Sequence, residues 1–486
     1  MRILFIQPPH YFESGTRVPT TFPLGLCYVA TAAQEAGHQV EVLDIWLGQY
    51  ESIDVEKKVE ELFNFDVFAI TALSTQYKYI KWLSKILKNH HPDIPIVLGN
   101  ALATYSADTV LKNTKVDICV RGEGEYTFKD LLDSKLKRLN HIGGISYRDS
   151  EGKIIHNPER EYVSNLDDIP FPSYEIFDIE AYLSHLRVWG RPDIVAMNVV
   201  CGRGCPYGCH FCSKTFQYSR LRSIENIVEE IELLKESYKI EGIFFLDELV
   251  VVSKERTEKL CMNMRRLKLK WNCQARVNTT DEDLLRLMKK SGCVAVGFGV
   301  ESGSQEILNR MNKKIRVSQA IEVAKAAIRL DLNPNFQMMY GYPGEDDDTL
   351  EETIGFFDEI KYFLKHPLSV TTPIPGSRLY DDCLRQKLIN DEDHYLEALD
   401  QGYYYRTHPL INLTEFTDRE FMEKKTQTEE TINRNYRLYL KRNPIHYINY
   451  YFHRYLNTIV LYYRIHGLFS TFKKVGKKIL HVNVIK

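Results

Sequence analysis

Three cysteines with regular spacing are the residues of this sequence best suited to chemistry. Cys205, Cys209 and Cys212 form a CxxxCxxC pattern within the stretch from Cys201 to Cys212, which holds four of the chain's 10 cysteines. Three thiolates at this spacing can wrap one cuboidal iron–sulfur cluster and leave its fourth iron without a protein ligand. Intervening glycines and a proline suit a loop that turns tightly around a bulky inorganic group. The pattern predicts a 4Fe-4S site whose open iron can bind a substrate.

A closed zinc site is the alternative interpretation of the same stretch, with Cys201 as a fourth thiolate ligand. Structural zinc sites usually combine two separated pairs of ligands, whereas every candidate here lies in one loop. We therefore interpret Cys201 as a buried residue at the end of a strand.

The cysteine pattern directly follows a predicted strand, at the start of an alternating series of strands and helices. The strands are expected near residues 194–200, 242–247, 271–277, 294–300, 336–340 and 368–373. The intervening helices are expected to begin near Ser223, Ser253, Asp281, Val317 and Thr349. About six such units predict an incomplete, TIM-like parallel barrel, whose working end is formed by the loops that follow its strands.

A second alternating series occupies the N-terminal part of the chain. Short β-branched runs near residues 2–7, 39–45, 66–73, 94–99 and 116–121 alternate with amphipathic segments. This α/β pattern predicts a doubly wound, flavodoxin-like or Rossmann-like parallel sheet, with its ligand beyond the carboxyl ends of the strands. We expect this domain to span residues 1–150, a proline-containing linker 151–190, the partial barrel 191–390 and a helical C-terminal region 391–486.

The composition is that of a globular, multidomain protein, with 486 residues of which 44% are hydrophobic and 26% charged. The N-terminus lacks the apolar core and cleavage site of a secretory signal. No apolar run approaches the roughly 20 residues that a membrane-spanning helix needs. These features predict a cytoplasmic location.

The C-terminal end has a distinct charge pattern. Residues 431–486 contain 11 Lys or Arg, 11 Tyr or Phe and no Asp or Glu. Cations beside interfacial aromatics suit peripheral contact with an anionic membrane, here at its inner face. A helical cap with packed aromatics and solvated lysines accounts for the pattern equally well. Nucleic acid is recognised by the same residue types, but we do not expect it as a partner.

With its strand context, the cysteine motif resembles the signature CxxxCxΦC of the radical SAM superfamily, and more closely that of its cobalamin-binding branch. Phe211 occupies the aromatic position before the last cysteine. The resemblance implies that the three cysteines hold the cluster, that Phe211 lies near adenine and that the free iron binds S-adenosylmethionine. It also implies one-electron cleavage that yields methionine and a 5'-deoxyadenosyl radical.

Later strand ends match the S-adenosylmethionine contacts of this family. The resemblance assigns Asp247 and Glu248 to the methionine amino group, Arg276 to the carboxylate, Glu301 and Ser302 to the ribose, and Gly341 to a turn at the site. A helix cap or solvated acid pair is the alternative for the first two residues, and surface pairing is the alternative for the arginine. A tight strand-to-helix connection explains the glycine equally well.

The N-terminal domain resembles a cobalamin-binding module. The resemblance assigns cobalamin contacts to Pro23, Gly25, Ser74, Gly99, Gly122 and Glu123. There is no DxHxxG stretch, and therefore no histidine motif that would ligate cobalt from below. The alternative is a degenerate, empty domain that only shapes the substrate cavity.

These features together predict a cobalamin-dependent radical enzyme, most simply a methyltransferase acting on an unactivated carbon of a small molecule, lipid or peptide. A radical cyclase, oxidoreductase or rearrangement catalyst is the alternative within enzymes, because these outcomes share the cofactor motifs. A non-catalytic iron–sulfur or corrinoid sensor is the alternative from another class. As an enzyme the chain would need an electron donor such as flavodoxin or ferredoxin.

Overall fold

The computed structural model describes residues 1–9, 19–48, 52–399 and 409–444. Its first sheet has seven strands in the order β2-β1-β3-β4-β5-β6-β7, and the first five run parallel. The strands are β1 (Arg2–Gln7), β2 (Gln39–Asp44), β3 (Val67–Thr71), β4 (Ile96–Gly99), β5 (Ile118–Val120), β6 (Ile145–Arg148) and β7 (Ile154–His156). The helices are α1 (Leu24–Glu35), α2 (Ile45–Gly48), α3 (Ser52–Glu60), α4 (Tyr77–His90), α5 (Asn100–Tyr105), α6 (Ala107–Asn113) and α7 (Glu125–Asp133).

Both faces of this first sheet are buried, as a doubly wound arrangement requires. Along β1, Ile3 and Phe5 enter one apolar core, and Leu4 and Ile6 enter another on the opposite face. This alternation follows from the two-residue period of a strand. The predicted doubly wound sheet is confirmed. The antiparallel pair β6 and β7 extends it at one edge and was not predicted.

The second sheet also has seven strands, in the order β16-β15-β14-β13-β12-β9-β8. Its strands are β8 (Arg187–Val188), β9 (Arg191–Val199), β12 (Gly242–Phe245), β13 (Lys270–Ala275), β14 (Cys293–Glu301), β15 (Asn335–Tyr340) and β16 (Ser369–Val370), and a separate hairpin is formed by β10 (Gly202–Arg203) and β11 (Arg220–Leu221). Six strands run parallel and β8 pairs antiparallel at the edge. The curled sheet does not close, which confirms the predicted partial barrel.

Eight α-helices of the described chain lie around the second sheet, and five of them begin close to the predicted residues. They are α8 (Ile179–His185), α9 (Ile224–Tyr238), α10 (Lys254–Leu267), α11 (Glu282–Lys290), α12 (Gln305–Arg310), α13 (Val317–Arg329), α14 (Asp347–Ile360) and α15 (Arg378–Arg385). Ser223, Ser253 and Asp281 each accept a hydrogen bond from a backbone N–H in the first turn of a helix. These side chains accept from backbone N–H groups that have no acceptor within the helix. Residues of this type are therefore a reliable sequence signal for the start of a helix.

Two helices follow in the C-terminal region, α16 (Glu392–Leu399) and α17 (Asp418–Arg442). The first packs on the N-terminal domain and the second on the barrel. Leu396 and Leu399 of α16 are buried in the core of the first sheet. Phe421 of α17 is buried against the barrel, where the Tyr340 hydroxyl donates to its carbonyl oxygen at 2.6 Å. Most of the basic, aromatic segment 431–486 lies outside the described residues. Within them, no helix is long and apolar enough to span a membrane.

Candidate active site

The cysteine loop begins where β9 ends, and its first part is held from the adjacent strand. Both carboxylate oxygens of Asp247, which follows β12, accept from the backbone N–H of Cys201 at 2.8 Å. The hairpin of β10 and β11 closes the base of the loop. Gly204 adopts a φ of 80°, and a Cβ there would lie 2.5 Å from the Tyr218 carbonyl oxygen. Only glycine fits this turn without strain.

The outer part of the loop is held by the residues that follow α12 and by the start of α15. The His210 backbone N–H donates to the Met311 carbonyl at 3.0 Å, and the His210 carbonyl accepts from Leu379 at 2.8 Å. Asn312 Nδ2 donates to the Gly208 carbonyl at 2.7 Å. Two distant parts of the chain therefore fix the path of this outer part of the loop, which has no regular structure of its own.

The three spaced cysteines differ from Cys201 in their surroundings. Cys205, Cys209 and Cys212 are half-buried, whereas Cys201 is fully buried beside Asp247. In the part of the chain that the structure describes, no three His, Cys, Asp or Glu side chains converge on a point that one metal ion could fill. Cys201 is thus buried just after a strand, as the sequence predicted.

The surroundings of the cysteines disfavour the negative charge of a thiolate. Burial, together with the nearby Glu248, Cys209 and Cys205, raises the pKa of the Cys212 thiol to about 12. Burial also raises the pKa of Cys205. A thiolate is the ligand form of cysteine, so a strongly cationic partner has to stabilise it. The donor set itself, three half-buried cysteines in one short loop, fits an iron–sulfur cluster that keeps one iron open.

Arg276, directly after β13, is a cation in contact with one of these thiols. Its Nη1 lies 3.7 Å from Cys209 Sγ, and its guanidinium lies 3.8 Å from the centroid of the Tyr207 ring. Its Nε and Nη2 are buried without a hydrogen-bond partner among the described residues. Buried guanidinium donors are costly to leave unpaired. The site is therefore built for an additional acceptor, and a carboxylate meets that need in a bidentate manner.

The predicted ribose contacts lie at the end of β14, where Glu301 is the last residue of the strand and Ser302 follows it. Glu301 has a φ of 73°, and its Oε1 pairs with Lys313 Nζ at 2.7 Å in a buried position. The Lys313 ammonium also lies 5.6 Å from the centroid of the Phe211 ring. The Ser302 hydroxyl accepts from the Ser304 backbone at 3.0 Å, within the turn. Lys313 therefore contacts both Glu301 and the Phe211 ring, and the Ser302 hydroxyl bonds to the backbone of its own turn.

The other predicted contacts lie at two neighbouring strand ends. Asp247 is buried and engaged with the cysteine loop, and burial raises the pKa of its carboxyl to about 7. Glu248 is exposed and lines the cavity described below. Gly341 has a φ of 80°, and a Cβ there would lie 2.4 Å from Cζ of Phe421. The C-terminal helix therefore packs directly on the strand end that carries Gly341.

Glu345 supplies a pH-dependent feature beside Gly341. Its buried carboxylate accepts from the Gly341 backbone, and burial raises its pKa to about 7. Because the pKa is higher in the folded chain than in the unfolded one, the fold favours the protonated form and loses stability as pH rises from about 4 to 7. We expect Glu345→Gln to become more stable than the unsubstituted chain by about 3 kcal/mol at pH 8 and to match it near pH 4.

Urea unfolding of both chains across this pH range checks the expectation. The exposed Glu351 lies nearby in sequence on α14, so Glu351→Gln is the matched control and should change stability by less than about 0.5 kcal/mol throughout. A stability difference for Glu345→Gln that stays constant with pH would show that the buried carboxyl does not titrate as described.

A cavity of about 610 Å³ separates the carboxyl edge of the first sheet from the cysteine loop. This volume lies in the range of small-molecule and cofactor sites. Five of the six predicted cobalamin contacts line it, namely Pro23, Gly25, Gly99, Gly122 and Glu123. Ser74 is not among its lining residues, and its buried hydroxyl has no hydrogen-bond partner among the described residues. The cavity lies where a doubly wound sheet is expected to bind its ligand.

A buried ion network joins the two sides of this cavity. Arg203, within the cysteine loop, donates to Glu123 at 2.7 Å and to Glu125 at 2.5 Å. Arg220 of β11 pairs with the second oxygen of Glu123 at 3.0 Å, and the Val163 backbone N–H donates to the same oxygen at 2.7 Å. Both oxygens of Glu123 are therefore occupied by protein donors. Despite burial, the two arginines hold the pKa of Glu123 below its usual range.

Sequence reasoning missed Arg203, Arg220, Glu125 and Lys313. A charged residue between the glycines of the cysteine loop was the only local signal for Arg203. The two missed arginines pair with residues of the first domain that are far away in sequence. Arg203 and Glu123, for example, are 80 positions apart. No periodic pattern reports such a pairing.

The sequence is similar to those of known protein families and enzymes. The model of the radical SAM superfamily matches residues 199–357, and that of the B12 binding domain matches residues 15–132. An uncharacterized methyltransferase of Pyrococcus horikoshii is 32% identical over 429 residues, covering 86% of this chain and 90% of that protein. The anaerobic magnesium-protoporphyrin IX monomethyl ester cyclase of Rubrivivax gelatinosus is 29% identical over 371 residues, covering 73% and 65%.

A solved structure has the same fold. The radical S-adenosylmethionine methyltransferase TsrM of Kitasatospora setae, with cobalamin and a [4Fe-4S] cluster bound, superposes with a TM-score of 0.65 at 16% identity. The match covers 79% of this chain and 75% of that one. The chain therefore belongs to the radical SAM superfamily, in the branch that carries a B12-binding domain. It is a radical SAM enzyme whose cofactors are a 4Fe-4S cluster, S-adenosylmethionine and cobalamin, which confirms the predicted family and cofactors.

Proposed function

We propose that this enzyme transfers a methyl group to an unactivated carbon of a small molecule, lipid or peptide. The observation that carries the proposal is the cavity of about 610 Å³, because both the carboxyl edge of the B12-binding sheet and the cysteine loop line it. When bound, the cluster supplies one electron that cleaves S-adenosylmethionine to a substrate-activating radical, and cobalamin supplies the methyl group. A single cavity between the two modules would let one substrate carbon meet both.

Several residues of the barrel would contact the cluster and S-adenosylmethionine. Cys205, Cys209 and Cys212 would hold the cluster, and the free donors of Arg276 would bind the S-adenosylmethionine carboxylate. The remaining proposed contacts are Phe211 near the adenine, Glu248 near the methionine amino group and Glu301 near the ribose. Asp247 acts as a positioning residue, since its carboxylate holds the Cys201 backbone where the cysteine loop begins.

The proposed cobalamin contacts are the backbone-lined edges of the cavity at Pro23, Gly25, Gly99 and Gly122. Glu123 would act through the ion network with Arg203 and Arg220, because its oxygens are already engaged. The wall of the cavity is mainly apolar, and its aromatic members are Phe5, Phe22, Tyr28, Trp46, Phe128 and Phe216. Such a wall excludes water from a reactive intermediate.

A radical cyclase is the second candidate, and the similarity to the Rubrivivax gelatinosus cyclase over 371 residues supports it. The cofactor motifs serve both reactions, so the product has to decide between them. For either reaction we propose a low-potential electron donor, such as flavodoxin or ferredoxin. Contact of segment 431–486 with an anionic membrane is a further proposal, supported by its 11 basic and 11 aromatic residues.

Anaerobic reconstitution with iron, sulfide and a corrinoid tests the proposal. The loaded enzyme is incubated with reductant, S-adenosylmethionine carrying a deuterated methyl group, and a panel of candidate substrates. Methyl transfer yields 5'-deoxyadenosine together with a product that gains the labelled methyl. A cyclase yields 5'-deoxyadenosine and an unlabelled product. Failure of the loaded enzyme to cleave S-adenosylmethionine, or to retain any corrinoid, would overturn the proposal.

A further inference from the structure

Ser302, which the sequence predicted as a ribose contact, has its hydroxyl engaged elsewhere. Its Oγ accepts from the Ser304 backbone N–H at 3.0 Å and lies 3.4 Å from Thr353 Oγ1 on α14. The Thr353 hydroxyl also accepts from the Gly303 backbone N–H at 3.0 Å. Ser302 is only 1% exposed. Its hydroxyl is therefore bound within its own turn and against α14, whereas the neighbouring Glu301 reaches a different element.

Lys313 is the polar side chain that lies beside Glu301. The Glu301 and Lys313 side chains are 10% and 8% exposed, and Oε1 of the first lies 2.7 Å from Nζ of the second. A β-bulge between Gly299 and Glu301, together with the positive φ of Glu301, directs the glutamate side chain to this position. A Cβ at Gly299 would lie 2.5 Å from Glu301 Oε1 and 2.9 Å from Lys313 Nζ. The ion pair thus occupies space that only a glycine at position 299 leaves open.

This ion pair offers both a hydrogen-bond donor and an acceptor to a ligand. Within the described part of the chain, the Lys313 ammonium and the Glu301 carboxylate have only each other as hydrogen-bond partners. An ammonium has three N–H donors and a carboxylate has two acceptor oxygens, so each keeps capacity for a further bond. Two adjacent sugar hydroxyls can use both, because one donates to the free carboxylate oxygen and the other accepts from the ammonium. The Phe211 ring, 5.6 Å from Lys313 Nζ, would then lie beside the base of the same nucleoside.

We propose that Lys313, in place of Ser302, is the second ribose-binding residue of the S-adenosylmethionine site. Lys313 donates to one hydroxyl of the ribose and Glu301 accepts from the other. The inference rests on the proposed function, because it uses the assignment of Glu301 to the ribose. The turn that carries Lys313 also holds the cysteine loop, since the Met311 carbonyl and Asn312 Nδ2 bond to its backbone. Binding of the nucleoside therefore engages the same turn that holds the cysteine loop.

Binding of S-adenosylmethionine to the reconstituted enzyme without reductant tests this role, and equilibrium dialysis with labelled ligand measures each Kd. In Lys313→Met we expect the Kd to rise about 30-fold, because a hydrogen bond from a charged group is lost. An analogue of S-adenosylmethionine that lacks both ribose hydroxyls separates this contact from a general loss of structure. Its Kd should differ by less than about threefold between the unsubstituted enzyme and Lys313→Met. Lys313→Arg keeps a charged donor and should recover part of the affinity for S-adenosylmethionine.

Lys314→Met is the matched control, because it makes the same chemical change at the exposed next residue and should leave both Kd values unchanged. Lys313→Gln, which also removes the charge, gives the same comparison where Lys313→Met does not fold. The proposal is overturned if the Lys313 variant binds both ligands as the unsubstituted enzyme does, or loses affinity for both equally. It is also overturned if Ser302→Ala shows the hydroxyl-dependent loss instead.

These binding measurements do not depend on methyl transfer. An enzyme that binds the ligands as expected but gives no product with the labelled methyl would contradict only the proposed function. The two failures are therefore distinguishable.

Discussion

Replacing Cys212 with serine should lower the rate of S-adenosylmethionine cleavage by more than about 100-fold. Mutation of a residue that only hydrogen-bonds to a metal ligand typically lowers metal affinity or activity by about 10–100-fold, so loss of a ligand should cost more. A serine hydroxyl is a poor iron ligand compared with a thiolate, and two remaining cysteines do not suffice to hold the cluster. Among the described residues, no further cysteine can take its place, because Cys201 is buried beside Asp247. Iron and sulfide per chain, together with 5'-deoxyadenosine formed, measure the effect.

Cys201→Ser is the matched control for this loss. The substitution lies in the same loop and changes the same atom, but we expect it to leave the iron and sulfide content intact. Cys201 is fully buried just after β9, whereas the three spaced cysteines are half-buried in the loop, so we expect its side chain not to hold the cluster. Equal loss of iron and sulfide from both variants would show that Cys201 also helps to hold the cluster and would contradict this assignment.

Replacing Arg203 with glutamine should be the most damaging change outside the cysteines. It leaves Glu125 buried without its arginine and Glu123 paired with Arg220 alone, and breaking a buried ion pair in this way costs about 3–5 kcal/mol. The two loops that line the cavity would then lose their bridge. We expect a lower unfolding midpoint in urea and loss of bound corrinoid on gel filtration, while the iron and sulfide content stays near that of the unsubstituted enzyme.

Arg160→Gln provides the comparison for a surface pair. Arg160 pairs with Asp130 at 2.5 Å, but both side chains are partly exposed, so the pair is worth only about 0–1 kcal/mol. Arg203→Lys keeps the positive charge but not the forked geometry, and it should recover part of the corrinoid binding. If Arg203→Gln and Arg160→Gln behave alike, the network does not position the cavity.

Much of the fold followed from local information in the sequence. The alternation of β-branched runs with amphipathic segments predicted the five parallel strands of the first sheet and the six of the second. Capping residues such as Ser223, Ser253 and Asp281 predicted helix starts, because a cap acts on backbone donors within its own first turn. The cysteine spacing predicted the cluster site for the same reason, since all three ligands lie in one short loop.

The tertiary structure alone decided how these local pieces meet. Glu123 was predicted as a cobalamin contact, yet its oxygens are taken by Arg203 and Arg220, which lie 80 and 97 residues further along the chain. Likewise, Phe421 packs on Gly341 from a helix that no pattern linked to the barrel. Periodicity and spacing record only interactions between residues near in sequence. A buried ion pair or an aromatic contact between distant segments depends on how whole elements pack, and that becomes visible only in the folded chain.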